Sequence, residues 1–250
     1  MLLSAHQPVY LPWLGLFHKI AVGDQFVIFD VVPYSRKMFY NRNSILGPDG
    51  PIKLSVPVRF SQKDAQLHRD VTIDNAQPWQ RKHWGSIVHC YGKTPYFDDY
   101  GAPLEPFYTK EWERLADLNA AMLDYMLDKL GIDTPMRRAS EFELNGQKSS
   151  LVLNMCRAFE ADTYLFGTLG RDYADIDQFL TAGVVPLFQD YRHPEYPQFR
   201  DKPFIPFMSA LDLMCRCGPN SLEILMSGND SRESYLEESQ ALRSGATRRE

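Results

Sequence analysis

No stretch of the 250-residue chain approaches the roughly 18 apolar residues of a membrane-spanning helix. No Lys/Arg stripe accompanies its net charge of −5, so nucleic acid, which needs a basic footprint, is not an expected partner. The opening MLLSAHQP has neither the basic start nor the extended apolar region of a signal peptide. Cysteine is scarce: Cys90, Cys156, Cys215 and Cys217. Cys215 and Cys217 have one residue between them and no second pair elsewhere, which is not zinc-site spacing. Few cysteines without a signal imply reduced thiols and a cytoplasmic location. The glycine signatures of phosphate binding, G-x-G-x-x-G and G-x-x-x-x-G-K-[ST], are also missing, as are internal repeats and low-complexity linkers.

What is present alternates between strand-like and helix-like texture. LLSAH is a short apolar run stopped at Pro8 and reads as a buried strand. LPWLGLFHKIAVG spaces Leu14, Phe17 and Ile20 helically and stops at Gly23. QFVIFDVV then reads as a second buried strand, completing a βαβ unit. Between Pro33 and Asp74, GPDG separates two strand-like runs and predicts a β-hairpin, with DVTID as a further strand. WQRKHWGSIVHCYG and TKEWERLADLNAAMLDYMLDKLG are helical, closing at Gly92 and Gly131. A helix in SSLVLNMCRAFEA, a strand in DTYLFG, a helix in DIDQFLTAG and a strand in VVPLFQDY resume the alternation. SALDLMCRCG and SLEIL close it as two helices. The expectation is one α/β domain over 1–226, a mainly parallel sheet flanked by helices with a β-hairpin insertion at about 33–74. A polar, loose tail is expected over 227–250.

Polar residues fall where the strands should end. His6 and Gln7 follow the first strand, Asp30 the second, Gly167 and Thr168 the strand TYLF, and Asp190, Tyr191 and His193 the strand VPLF. In open parallel sheets the ligand crevice lies outside the carboxyl ends of the strands, so these groups are expected to share one pocket. His6, His18 and His193 are candidate general bases, with Asp30 or Asp190 as an orienting carboxylate. Arg42 and Asn43 in NRNSI offer a clamp for a carboxylate or phosphate. Prolines stiffen the HPEYPQF loop that carries His193. Cys90 beside His89 is not a dyad, because sequence neighbours on a helix point different ways. Metal ranks below acid–base chemistry, since no spacing matches a metal motif.

HQPVYLPWLGLFHKI, FDVVPYSRKMFYNRN, LSVPV, YGKTPYF, GTLGRDY, FQDYRHPEYPQF and FMSALDLM follow one another in an order that resembles the WbqC-like family. The likeness runs from about Leu2 to Leu225. Its motifs fall on His6, Gln7, Tyr10, Pro12, Trp13, Gly15, Asp30, Arg42, Asn43, Tyr96, Gly167, Tyr173, His193, Tyr196 and Gln198. Many members carry Asp where this chain has His18, so the resemblance gives His18 no role of its own. Relatives often have paired aspartates near FDVVPYS, and their absence here argues against a metal.

The resemblance implies a bacterial setting in O-antigen, surface-glycan or natural-product gene clusters. It also implies transferase chemistry, some members being labelled aminoacyl or glycine transferases. The leading expectation is an acyl or aminoacyl transferase that moves a group from a thioester or ester donor to an amine of a sugar or similar small acceptor. His6, His193 and Asp30 would be catalytic, with Gln7, Tyr10, Arg42, Asn43, Tyr96, Gly167, Tyr173, Asp190, Tyr196 and Gln198 binding substrate. An acyl carrier protein is a candidate partner, and no cofactor is specified. One alternative is an ATP-dependent nucleotidylyltransferase or ligase, suggested by the strand–turn–helix corner although PWLGLFH lacks the H-x-G-H pair. The other is a non-catalytic binding protein of a glycan assembly complex.

Overall fold

The apolar run behind Met1 forms β1 (Leu2–His6), and α1 (Leu14–Ala21) turns the chain back into β2 (Gln25–Ile28). β2 lies parallel to β1, with Leu3 opposite Gln25 and His6 opposite Ile28. The computed structural model describes residues 1–59, 66–199 and 201–245. The expected hairpin is β3 (Arg42–Gly47) against β4 (Gly50–Ser55), antiparallel, with Gly47 opposite Gly50. Gly50 has φ of 123°, a conformation that side chains resist, which is why the GPDG turn needs a glycine there. β5 (Val58–Arg59) and β6 (Thr72–Ile73) form a short antiparallel pair.

α2 (Trp79–Tyr91), α3 (Glu105–Thr109) and α4 (Leu115–Leu130) follow, then β7 (Met136–Arg138) and α5 (Lys148–Ala158). β8 (Thr163–Phe166), α6 (Ile176–Thr181) and β9 (Val185–Phe188) lead to α7 (Ala210–Cys217), α8 (Ser221–Met226) and α9 (Arg232–Arg243). α4 ends as expected at Gly131, left-handed with φ of 71°, but begins only at Leu115. Residues 110–114 stay outside it because Arg114 is extended and the Leu115 amide bonds to the Val71 carbonyl.

The expectation of a loose tail over 227–250 needs correcting. α9 buries Tyr235 and Ser239, the latter hydrogen-bonded to Thr163 of β8 at 2.8 Å. Arg232 pairs with Asp24, and Arg243 with Asp162, which also holds the Met1 ammonium. Residues 246–250 lie outside the described residues.

The five strands of the main sheet run in the order β7-β2-β1-β8-β9, and every neighbouring pair is parallel. Side chains alternate between the two covering layers, as period-two geometry requires. Leu3, Ala5, Val27, Tyr164 and Phe166 meet α5 and α6 on one face. On the other, Phe26 and Ile28 meet α1 and α4, while Leu2, Leu165 and Leu187 meet Tyr235 of α9. Each fully buried leucine is worth about 2 kcal/mol relative to exposure. β1 sits at the centre, and successive strands depart from it in opposite directions, so the topological switch point lies between β1 and β8. In open parallel sheets the ligand crevice is expected there, at the carboxyl ends.

Candidate active site

His6 is the last residue of β1 and stands at that switch point. Its Nδ1–H donates to the carbonyl of Gln7 at 2.7 Å; because a carbonyl only accepts, the lone pair lies on Nε2. The ring meets Trp13 edge-on, with centroids 5.2 Å apart. Part of it still reaches solvent, yet dense surrounding protein pushes its pKa down to about 3, and nearby Lys19 and His68 add to the shift. His6 is therefore a neutral imidazole across the physiological range.

Lys19 comes up beside it from α1. Every residue from Leu14 to Ile20 is buried, and Lys19 with them at 3% exposure. Its Nζ donates to the Ala5 carbonyl of β1 at 2.7 Å and, among the described residues, forms no ion pair. Burial alone lowers its pKa to about 7. Gly167, which ends β8, opens toward it: a methyl group added there would meet nothing within 4 Å except Lys19 Nζ, at 3.9 Å. The smallest residue thus leaves space in front of a buried amine at the switch point.

His68 enters from the far end of the insertion. Residues 32–34 and 66–68 pair antiparallel through backbone bonds, Tyr34 N to Gln66 O at 2.8 Å and His68 N to Val32 O at 3.0 Å. That ribbon brings His68 close enough to His6 to depress its protonation. His68 is 2% exposed, its pKa is pushed down to about 4 by burial, and its Nε2 has no partner among the described residues. Its ring stands edge-on to Tyr40 at 4.3 Å and to Tyr34 at 5.3 Å. Tyr173, 45% exposed, lies close enough to Tyr40 to raise its phenol further after burial.

The remaining candidates divide. The Gln7 amide makes no hydrogen bond among the described residues and stays available. Asp30, fully buried, does not orient His6: Oδ1 accepts from the Ser140 amide at 3.0 Å and Oδ2 from its hydroxyl at 2.8 Å, tying the end of β2 to that of β7. Asp190 is exposed.

His193 donates from Nδ1 to the Pro194 carbonyl at 2.9 Å, and its ring is surrounded by Tyr191, Tyr196, Phe204 and Phe207. It connects to His6 only indirectly, since Trp13 and Tyr191 both crowd Gly15. His18 is a latch, its Nε2 on the Asp230 carbonyl and its Nδ1 accepting from Gln189.

Of six further residues expected at the substrate, five have side-chain polar atoms hydrogen-bonded within the protein, and Tyr96 is held by its ring and backbone. The Tyr10 hydroxyl is wholly buried between His83 and Tyr108. Tyr96 packs over Gly218 and bonds through its amide to the Cys215 carbonyl. Arg42 donates to the carbonyls of Arg36 and Lys37, and Asn43 to that of Leu11. Tyr196 and Gln198 both donate to Asp212 Oδ2, at 2.9 and 3.1 Å, and Arg216 holds Asp212 Oδ1 at 2.8 Å. The HPEYPQ loop is thereby anchored to α7.

Lys19 and His68 were absent from the sequence-based set. Lys19 carried a signal: a lysine three residues after Leu16 and three before Val22 lies on the apolar stripe of its helix, where a charge is out of pattern. His68, in the aperiodic QLHRD, carried none.

An open groove of about 1000 Å³ lies elsewhere, between α4 and β7. Its Arg137 and Arg138 are already paired with Glu141 and Asp117, and it contains none of the residues above. The basic Nε2 of His6 and the buried Lys19 amine stand instead at the carboxyl end of β1, beside Gly167 of β8, and the candidate site is placed there. Among the described residues no three His, Cys, Asp or Glu gather closely enough to hold a metal ion, and no helix is long and apolar enough to cross a membrane.

Comparison with known proteins agrees over nearly the whole length. The model of the WbqC-like protein family matches residues 7–224. An uncharacterized protein of Mycobacterium tuberculosis is 30% identical over 221 residues, covering 88% of this chain and 95% of the relative.

Proposed function

The chain belongs to the WbqC-like family, and from that premise we propose that it is a transferase which moves an acyl or aminoacyl group from a thioester to the amine of a sugar or similar small acceptor. The observation that carries the reading is His6, a neutral imidazole at the switch point with Nδ1–H fixed on Gln7 O and Nε2 left as the basic atom.

The acceptor nitrogen attacks the thioester carbonyl and directs its N–H at His6 Nε2. As the C–N bond forms, the nitrogen becomes acidic and the carbonyl oxygen becomes an oxyanion, which raises the proton affinity of the imidazole beside it. The uncommitted Gln7 amide is the donor available to that oxyanion. Collapse breaks the C–S bond; the amide leaves, and His6 returns its proton to the departing thiolate. His193 is not the base in this scheme, because its Nε2 is buried among aromatic rings. Large apolar side chains on loops leaving the carboxyl ends, Phe39, Leu169 and Phe207, are 61%, 63% and 67% exposed. They suit an acyl chain or the carrier that delivers it. Glycan or natural-product assembly is the setting in which such an acceptor would arise.

One feature favours a second reading, nucleotidyl transfer from ATP: a strand–turn–helix corner at the centre of a parallel sheet, beside its switch point. The test sets acyl thioesters with amino-sugar acceptors against ATP with magnesium. Thiol release by the wild type, lost in a folded His6→Ala variant, is expected. Undiminished release by His6→Ala removes His6 from the chemistry. A melting temperature raised by ATP and magnesium, with no thiol released, moves the assignment to nucleotidyl transfer.

A further inference from the structure

Lys19, His6 and His68 form a buried cluster in which every member gains positive charge on protonation. Lys19 and His6 interact, His6 and His68 interact, and among the described residues no carboxylate contributes to the shifts of any of the three. Asp30, at the end of the neighbouring strand β2, is turned to Ser140. Among the described residues Lys19 has one acceptor, the Ala5 carbonyl, for its three donors. Buried charges in folded proteins are paired, and a lysine placed in the interior without a counter-charge needs a reason. In front of this one, Gly167 leaves room that any other side chain would fill.

We propose that the floor of the crevice is an anion site, in which Lys19 receives a phosphate or carboxylate group of the substrate in front of Gly167, with His6 and His68 on its flanks. The ligand supplies the counter-charge that the described residues omit. An ammonium meeting an anion away from bulk water forms a charge-assisted hydrogen bond, roughly twice as strong as a neutral one. A pKa near 7 poises the amine so that an arriving anion completes its protonation. The inference deepens the transferase reading and shares its crevice, assigning an anionic group to the donor or acceptor, but it requires no transfer step.

The test titrates the purified full-length protein with pyrophosphate and, in parallel, with succinate, using a neutral sugar as control and calorimetry as readout. At least one anion is expected to bind the wild type, and the better of the two identifies the group as phosphate or carboxylate. Lys19→Met is expected to weaken that binding by about tenfold or more while remaining folded. Equal affinity in wild type and Lys19→Met, or no binding of either anion, overturns the proposal.

A measurement on the wild type alone guards against a misfolded variant. Acetylation of Lys19 by acetic anhydride, mapped by mass spectrometry, should slow when the bound anion is present, and an unchanged rate counts against the site. Wild-type protein that releases thiol yet ignores both anions sinks the anion site alone. Anion binding through Lys19 without thiol release sinks the transferase reading alone.

Discussion

Asp212 and Arg216 lie in the interior with side chains 0% and 7% exposed, and Lys19 lies there at 3%. The first two hold each other at 2.8 Å, with Tyr196 and Gln198 closing the remaining carboxylate oxygen and the Gln198 carbonyl accepting from Arg216; only one guanidinium nitrogen lacks a partner. Among the described residues Lys19 has a single backbone carbonyl, and the imidazoles of its cluster are held neutral. Both regions bury charge-bearing side chains, but one resolves its polarity within the chain and the other leaves it open. A closed network fastens the loop over α7 to the body of the protein. An open one at a switch point waits for something that is not protein. Burial of polar groups thus marks neither scaffold nor site by itself; whether the partners are complete separates the two.

Substitutions can break that distinction or sharpen it. The largest effect is expected from Asp212→Ala, which strands Arg216 in the core. Removing one partner of a buried pair costs about 3–5 kcal/mol, and urea denaturation should show it.

Lys19→Met is expected to act in the opposite direction, stabilising the fold by about 1–2 kcal/mol by removing an uncompensated buried amine. The gain depends on pH. Native Lys19 releases its proton near pH 7, whereas the unfolded chain holds it to its usual 10.5. Unfolding therefore takes up a proton between those values, so this residue costs the wild type stability progressively as pH falls from 10.5 to about 7. The melting-temperature advantage of Lys19→Met should be small near about pH 10 and widen toward about pH 7. A variant destabilised as Asp212→Ala is would put Lys19 among the scaffold residues.

The smallest effect belongs to Tyr196→Phe, which removes one of two donors on Asp212 Oδ2 and leaves Gln198 in place. About 1 kcal/mol is expected, measured in the same denaturation series.

Much of the sheet's carboxyl edge was legible because β1, β8 and β9 announced their ends. Pro8, Gly167 and the polar residues behind VPLF stop short apolar runs, and strands stopped in this way predict the crevice without any long-range information. β7 was not legible, being three residues of Met-Arg-Arg at the sheet edge, where propensity and alternation are both weak. α9 was hidden for a related reason: it buries only Tyr235 and Ser239 in an otherwise polar helix.

Within the site, the residue types were visible but their partners were not. The hydroxyl of Tyr10 and the amide of Gln198 look alike in sequence whether they face a ligand or close a core network, because the deciding neighbours, Tyr108 and Asp212, are 98 and 14 residues away. His68 reaches His6 only through a ribbon formed across more than thirty residues, and no local pattern encodes such a meeting.

That ribbon has a thermal consequence. Residues 32–34 and 66–68 are joined by a few backbone bonds at the end of a long excursion, while β1 and β8 are locked into the central sheet. Segments held by so few bonds open well below the temperature at which the core gives way. Opening would carry His68 away and leave the strands, His6 and Lys19 where they are. Warmed gradually, the protein would first lose the flank that His68 gives the site and only later its shape, with two separate temperatures where a single rigid crevice would have one.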